Sequence, residues 1–460
     1  MAASVATAAR IRGTRGPDRL QTANGLRDVV SCGAGHDLVT ADAIDLIGRD
    51  CEVVTRQASR DTFRNSVSEH ETEVEPDSFA FRNTVVAVFQ VGRVYDGGAH
   101  TIGFAVSRDR GRTWKHGFLN GLTPLASDPS VAYDRRHGVW LVSSLVFGNG
   151  SSSLAISRSA DGLHWSRPVK AIVSGPNLGQ DKEWIACDGW PQSPFYGHCY
   201  LSYSDLGSNE VVTQTSADGG LTWSAPAAAP GFPGRQSIAG AFAPGVQPVV
   251  LPSGRVLVPF YDQRSFSLVR SDDGGSTWTE QIGIAPANYR THLGIRAAPL
   301  PTSAISSDGR AYLAWADCSF RRSCAANDIV YSTSTDGVVW TPPKRIPVGG
   351  GDAELPGLDA DPSRPGRLAL TCYVLRPASL DVRFVSSKSA GRAWTKPQLL
   401  NSRPVPVDGI AQTSQGAMVG DYISTSFAGG RAVPVFVLAA PPRPNGALRE
   451  AAFATSLPVG

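Results

Sequence analysis

The stretch SRDRGRTW, Ser107 to Trp114, decides the fold, because the chain writes it six times. It returns as SADGLHW (Ser159 to Trp165), SADGGLTW (Ser216 to Trp223) and SDDGGSTW (Ser271 to Trp278). Two further copies are STDGVVW (Ser334 to Trp340) and SKSAGRAW (Ser387 to Trp394). Successive tryptophans fall roughly 51 to 62 residues apart, a period that marks a repeat architecture. Six of the ten Trp are used this way, so the motif is the main investment of large aromatics in the chain.

Each copy follows a short apolar run such as IGFAVS, EVVTQTS or DIVYSTS. Alternating β-branched and polar residues are strand chemistry. The Asp-Gly or Gly-Gly that follows signals a hairpin, since Gly accepts the positive φ a tight turn needs. An Asp or Ser side chain there can accept bonds from backbone N–H groups just ahead of it. The Trp then opens the next strand and offers a large apolar body to a neighbouring unit. The motif therefore reads as a folding device rather than a catalytic one. In the last copy Ser389 stands in the Asp position while the strand pattern survives.

Two more strand-like runs fill each period, among them TVVAVFQVGR, GVWLVSSLVF, RVLVPFYDQ and RLALTCYVL. No long amphipathic helix is visible. The spacing predicts an all-β fold, a β-propeller of four-stranded antiparallel blades. After the sixth motif, AMVGDYISTSF, RAVPVFVLAA and REAAFATS make a partial seventh unit. The N-terminal run CEVVTRQ is available to close it and remove an exposed edge. Seven blades are expected, with six the alternative. Residues 1–65 are expected to be an N-terminal extension, partly disordered, and residues 66–460 the propeller.

The pattern closely resembles the Asp-box, or BNR, repeat of the sialidase superfamily, from about Val74 to the C-terminus. Phrases such as DPSVAYD, SPFYGHCY and MVGDYISTSF resemble a bacterial secreted exo-α-sialidase-like group. The resemblance implies that the boxes join the third and fourth strands of each blade, on the face away from the active site.

A net charge of +3 and the absence of a basic run with interleaved aromatics argue against a nucleic-acid partner. No apolar stretch reaches transmembrane length. Of seven cysteines, Cys32 with Cys51, Cys187 with Cys199, and Cys318 with Cys324 are candidate loop staples. Cys372, inside an apolar strand, is left as a buried thiol. Paired loop cysteines favour an oxidising compartment, so a secreted or extracytoplasmic protein is expected. No zinc-ligand spacing occurs, and neither a metal nor a cofactor is expected. The expected state is a monomer with a carbohydrate partner.

In a propeller the first strand of each blade starts at the mouth of the central channel. Those starts carry Glu75 and Asp77, Asp128, Asp181 and Lys182, Gln247, Arg296, Glu354, and Asp421 with Tyr422. Loops between second and third strands add Arg93, Asp96, Asp262, Arg264, Asp317 and Arg321. Convergent polar groups in a concave mouth are where a ligand is expected.

Sialidases clamp a substrate carboxylate with three arginines, attack with a Glu-activated Tyr and use an Asp as acid/base. The resemblance places Asp96 as acid/base. It offers Tyr422, Tyr373 and Tyr261 as nucleophiles, and Arg264, Arg296 and Arg321 as the clamp. The family's Phe/Tyr-Arg-Ile-Pro motif is missing, and Glu75 stands where its arginine belongs. For a neutral sugar, paired acids such as Glu75 with Asp128, or Glu354 with Asp421, become the catalysts. The expected function is hydrolysis of a terminal glycosidic bond at the mouth. Alternatives are a non-catalytic carbohydrate- or protein-binding propeller, and a polysaccharide lyase using His100, His198 or His292 as base.

Overall fold

The structure, a computed structural model, describes residues 8–460 apart from 149, 175–178, 207, 209, 230–244 and 293. The repeat becomes a β-propeller of four-stranded antiparallel units. In the first, Glu69–Phe81 pairs with Thr84–Arg93, then Ala99–Ser107, then Lys115–Phe118. Among the described residues seven such units occur. Their first strands are Glu69–Phe81, Leu125–Asp134, Gln180–Cys187, Val249–Val250, Thr302–Ile305, Asp352–Ala360 and Ser424–Ala428. Each first strand touches the next, and the seventh touches the first, so the ring closes. The seventh unit takes its last strand from the N-terminal side: Val53–Gln57 pairs antiparallel with Glu450–Thr455.

All six boxes lie between the third and fourth strands of their units. In the first, the Ser107 hydroxyl accepts from the Gly111 N–H at 2.8 Å, and Asp109 accepts from the N–H groups of Arg112 and Thr113. The same bonds recur around Asp161, Asp218, Asp273 and Asp336. In the sixth box the Ser389 hydroxyl accepts from the Ala393 N–H at 2.9 Å. A hydroxyl thus does the carboxylate's work where the Asp is missing.

Each box also docks on the unit before it. Trp165 packs against Phe104, and Trp394 against Tyr331. Gly162 has φ 77°, and a Cβ there would lie 2.9 Å from Val86 of the preceding unit. Gly111 meets Val433 of the seventh unit in the same way, so the first box joins the two ends of the ring.

Residues 8–57 form strands, and residues 1–7 of the expected extension lie outside the described residues. Arg10–Arg12, Val29–Ser31 and Leu46–Ile47 form one parallel sheet, and Arg19–Gln21, Leu38–Ala41 and Val53–Gln57 form another. This is a short two-sided coil. Its acids cap backbone N–H groups of the adjacent turn: Asp37 accepts from Asp18, Glu52 from Asp37, and Asp45 from Asp28. The Cys32–Cys51 disulfide ties the coil across its turns, and Cys187–Cys199 and Cys318–Cys324 staple loops. Cys372 is free and buried. No helix in the described residues is long and apolar enough to cross a membrane.

The box assignment makes a prediction about stability. Trp278 is 8 % exposed, and Trp278→Ala should cost about 3–5 kcal/mol by leaving a cavity between units. Asp273→Ala should cost less, because it removes turn bonds at an exposed corner. Chemical denaturation of both variants checks the order.

Candidate functional site at the mouth of the ring

Four of the seven first strands carry a bulge near their starts. The register slips at Val74/Asp77, Ser127/Ser130, Asp181/Trp184 and Glu354/Gly357. Within each slip one non-glycine residue takes a left-handed conformation: Glu75 (φ 57°), Asp128 (47°), Lys182 (53°) and Leu355 (50°). Such backbone costs on the order of 1–3 kcal/mol per residue and persists only where the surroundings hold it. A bulge of this kind re-aims a side chain.

Three of those side chains meet. Lys182 Nζ lies 2.5 Å from Asp421, 3.4 Å from Asp128, 3.7 Å from Glu75 and 4.0 Å from Asp181. Arg296 grips both oxygens of Asp421, at 2.7 and 2.5 Å. Gln90 donates to Glu75 and to the Ser127 hydroxyl, and Arg93 donates to Gln90 and to the Gly98 carbonyl. Glu75 is fully buried, and solvent reaches the cluster at Asp181 and Arg296.

Electrostatics separate the acids. Burial, then the neighbouring Asp128 charge, raise Glu75 to about 8. Burial pushes Asp421 upward too, but Lys182 and Arg296 outweigh it and hold this carboxyl far below the usual range. Asp128 is likewise lowered, its burial outweighed by Lys182. Near neutral pH the cluster thus holds a protonated Glu75 beside ionised Asp128 and Asp421. Neighbouring carboxyls pushed apart in this way are the pattern of an acid/base pair.

A second constellation sits where the fourth, fifth and sixth units meet. Glu354 is completely buried and accepts three bonds: from His292 Nε2 at 2.7 Å, Asn327 Nδ2 at 2.5 Å and the Tyr289 hydroxyl at 3.3 Å. Asp352 accepts from the Asn327 N–H at 2.6 Å and pairs with Arg290 at 2.8 Å. His292 and Tyr289 are partly exposed, so the buried carboxylate stands behind two reachable groups. Burial lowers His292, but Glu354 more than reverses that and raises it. Burial and Glu354 together raise Tyr289.

The segment carrying these residues is pinned from both sides. Ala287 N–H donates to the Arg264 carbonyl, and Cys318 N–H donates to the Asn288 carbonyl. The atoms of His292, Asp352 and Glu354 lie close enough to frame a cation. Asn327 Nδ2 already points among them, however, 3.3 Å from His292 Nε2, and donates to Glu354. A donor in that position suits a hydrogen-bonded network rather than a metal site.

The sequence-predicted residues thus divide. Glu75, Asp128, Asp181, Lys182, Arg296 and Asp421 converge, with Arg93 behind them. Glu354 belongs to the second constellation. Asp96 is exposed in its loop and bonds to neither group. Tyr373 is a correction: its hydroxyl both donates to the Val437 carbonyl and accepts from the Val437 N–H, at 2.8 Å each, so it rivets two units. Tyr422 is partly exposed, packs edge-on against Trp184 and donates to the Pro129 carbonyl, with no carboxylate bonded to its hydroxyl among the described residues. Gln247 is spent on Ser303. The three proposed clamp arginines share no partner. Arg296 holds Asp421, Arg321 holds Asp328, and Arg264 is exposed. Tyr289, Asn327 and Gln90 escaped the sequence reading. Tyr289 and Asn327 lie outside strands, and no periodicity marks them.

A family model described as BNR repeat-like domain matches residues 198–428, half of the chain. The chain belongs to this BNR repeat-like family. No curated protein matches it. Among solved structures, an ulvan lyase of polysaccharide lyase family PL25, bound to -[GlcA(1-4)Rha3S]-, gives a TM-score of 0.50 at 10% identity. That match covers 86% of this chain and 96% of the lyase. The NanB sialidase from Streptococcus pneumoniae gives 0.43 at 13% identity, over 87% of this chain and 70% of its own. The α-L-arabinofuranosidase Arb93A from Fusarium graminearum gives 0.48 at 12%, over 89% and 98%. At these identities the likeness is one of fold.

The Glu75 shift has a consequence for stability. An unfolded chain releases this proton near 4.5, and the fold holds it to about 8. Between those values only the unfolded state loses the proton, so the group's contribution falls as pH rises through that window. Glu75→Gln has no proton to lose. Its melting temperature relative to the parent should therefore climb by a few degrees between about pH 5 and about pH 8, as read by calorimetry.

Proposed function

We propose that the seven-unit ring is a seven-bladed propeller of an exported, glycan-active enzyme, and that its mouth hydrolyses a terminal glycosidic bond. One observation carries this reading: the buried Glu354 carboxylate shared by the partly exposed Tyr289 hydroxyl and His292 ring. A carboxylate behind a reachable hydroxyl is the arrangement of an activated nucleophile. Tyr289 attacks the anomeric carbon and passes its proton to Glu354. The raised His292 protonates the leaving oxygen and then takes a proton from the water that releases the sugar. Arg264 flanks the segment, exposed, and gives the mouth a preference for an acidic sugar, while Arg290 and Arg321 beside it are paired with Asp352 and Asp328. The Glu75, Asp128, Asp181, Lys182, Arg296 and Asp421 cluster forms the floor beside it. Arg296 is already bound to Asp421, so the substrate carboxylate is not held by a three-arginine clamp. The disulfides support export, since such bonds persist in oxidising compartments.

A second reading is β-elimination at a uronate. The 2.7 Å bond from His292 to Glu354 favours it, because a carboxylate-held imidazole suits proton abstraction. One assay separates the readings. The chain is incubated with chromogenic sialosides and uronides and with polyuronates, and products are followed by reducing ends and by ultraviolet absorbance of a new double bond. Hydrolysis should raise reducing ends alone. Tyr289→Phe and Glu354→Gln should each lower kcat by about a hundredfold or more while the fold holds. No turnover of any substrate, or turnover unchanged in both variants, would leave a binding propeller in place of an enzyme.

A further inference from the structure

The N-terminal coil does more than close the ring. Where it meets the first and seventh units it leaves a groove of about 990 Å³. The acids along its walls are already engaged. Asp61 bonds His70 and the Glu71 N–H, Glu71 pairs with Arg443, and Asp42 accepts from the Asn24 and Gly25 N–H groups. Among the described residues Arg60, Arg64, Arg403 and Arg449 are exposed and form no ion pair, although Arg449 donates to the Pro441 carbonyl and Arg64 to that of Phe63. On the floor lies Glu450, completely buried. Its Oε2 accepts from the Ala411 N–H, and its Oε1 has no partner. Burial, with the Glu73 and Glu69 charges, pushes this carboxyl well above the usual carboxylate range, so the protonated group offers Oε1 to a partner.

We propose that this groove is a second carbohydrate site, separate from the mouth, that binds an acidic oligosaccharide. The carboxylates of such a chain meet the arginine rim through charge-assisted bonds, and one of its hydroxyls accepts from the protonated Glu450 Oε1. Neutral glycans could use only the floor, and a simple anion only the rim. The site is assembled from the coil (Asn24), the link after it (Arg60, Arg64) and the sixth-to-seventh connection (Arg403), so it exists only when the coil is docked. It does not rest on the chemistry assigned to the mouth.

Isothermal titration of the full chain with a short oligogalacturonate tests this, with a malto-oligosaccharide of equal length as the neutral control. The acidic ligand should bind, more weakly as salt is added, and the neutral one should not. Arg60→Glu with Arg403→Glu should lower affinity by about tenfold or more, a loss of about 1.4 kcal/mol, at an unchanged melting temperature. If that pair melts early, Arg60→Gln with Arg403→Gln replaces it. Glu450→Leu should weaken binding several-fold by removing the polar partner of that hydroxyl. Tyr289→Phe should leave affinity unchanged. Three results overturn the proposal: no binding of oligogalacturonate, equal binding of the neutral chain, or loss in Tyr289→Phe without loss in the arginine variants.

Discussion

The ring depends on a close approach between units at the box turn. A glycine at that turn lets backbone come against the second or third strand of the unit before it, and a Trp follows to cover the joint. Any Cβ at Gly162 or Gly111 would push the units apart. Six of the seven joints use this device; the seventh unit, which has no box, docks on the sixth without it. Ser and Asp hold the turn's N–H groups in place, which lets the glycine keep its left-handed shape. The box carboxylates are lowered as these bonds outweigh the effect of burial, as at Asp109 and Asp273. This is the electrostatic signature of a cap rather than of a catalyst.

Closure then creates the chemistry on the other side. Strands that must converge at an axis leave little room for side chains. The bulges at Glu75, Asp128 and Lys182 turn charges into that space, where burial alone would forbid them. They survive there as a network: Lys182 among four carboxylates, with Arg296 on Asp421. The backbone strain is offset by mutual charge satisfaction, and the result is a set of acids with different proton affinities in one small volume. The Tyr289, His292 and Glu354 group follows a different logic. Only Glu354 lies in a strand, and it is held by Asn327 so that it can support two loop neighbours.

Local chemistry made part of this legible. The boxes, the strand runs, the cysteine pairs and the charged strand starts all report interactions within a few residues of each other. The convergence of Glu75, Asp128, Lys182 and Asp421 was readable because each marks the start of a unit. The bulges themselves had a quiet signal: Pro follows Glu75, Asp128 and Leu355. The nucleophile candidates were not legible. Tyr373 and Tyr422 look equivalent to Tyr289 as letters, yet the first two are bonded to the backbone of other units. The N-terminal coil was also missed, since its turns are few and its Gly, Asp and Arg content resembles that of a disordered tail.

What the sequence by itself determined is the repeating unit, its turn and its tryptophan brace, because these are set by φ, hydrogen-bond donors and apolar size within one stretch of chain. What only the tertiary structure decided is which distant side chains share a proton or a charge. Lys182 of the third unit and Asp421 before the seventh are far apart along the chain and at one point in space, and no local rule brings them together. Ring closure does, through the coil strand Val53–Gln57 laid against Glu450–Thr455.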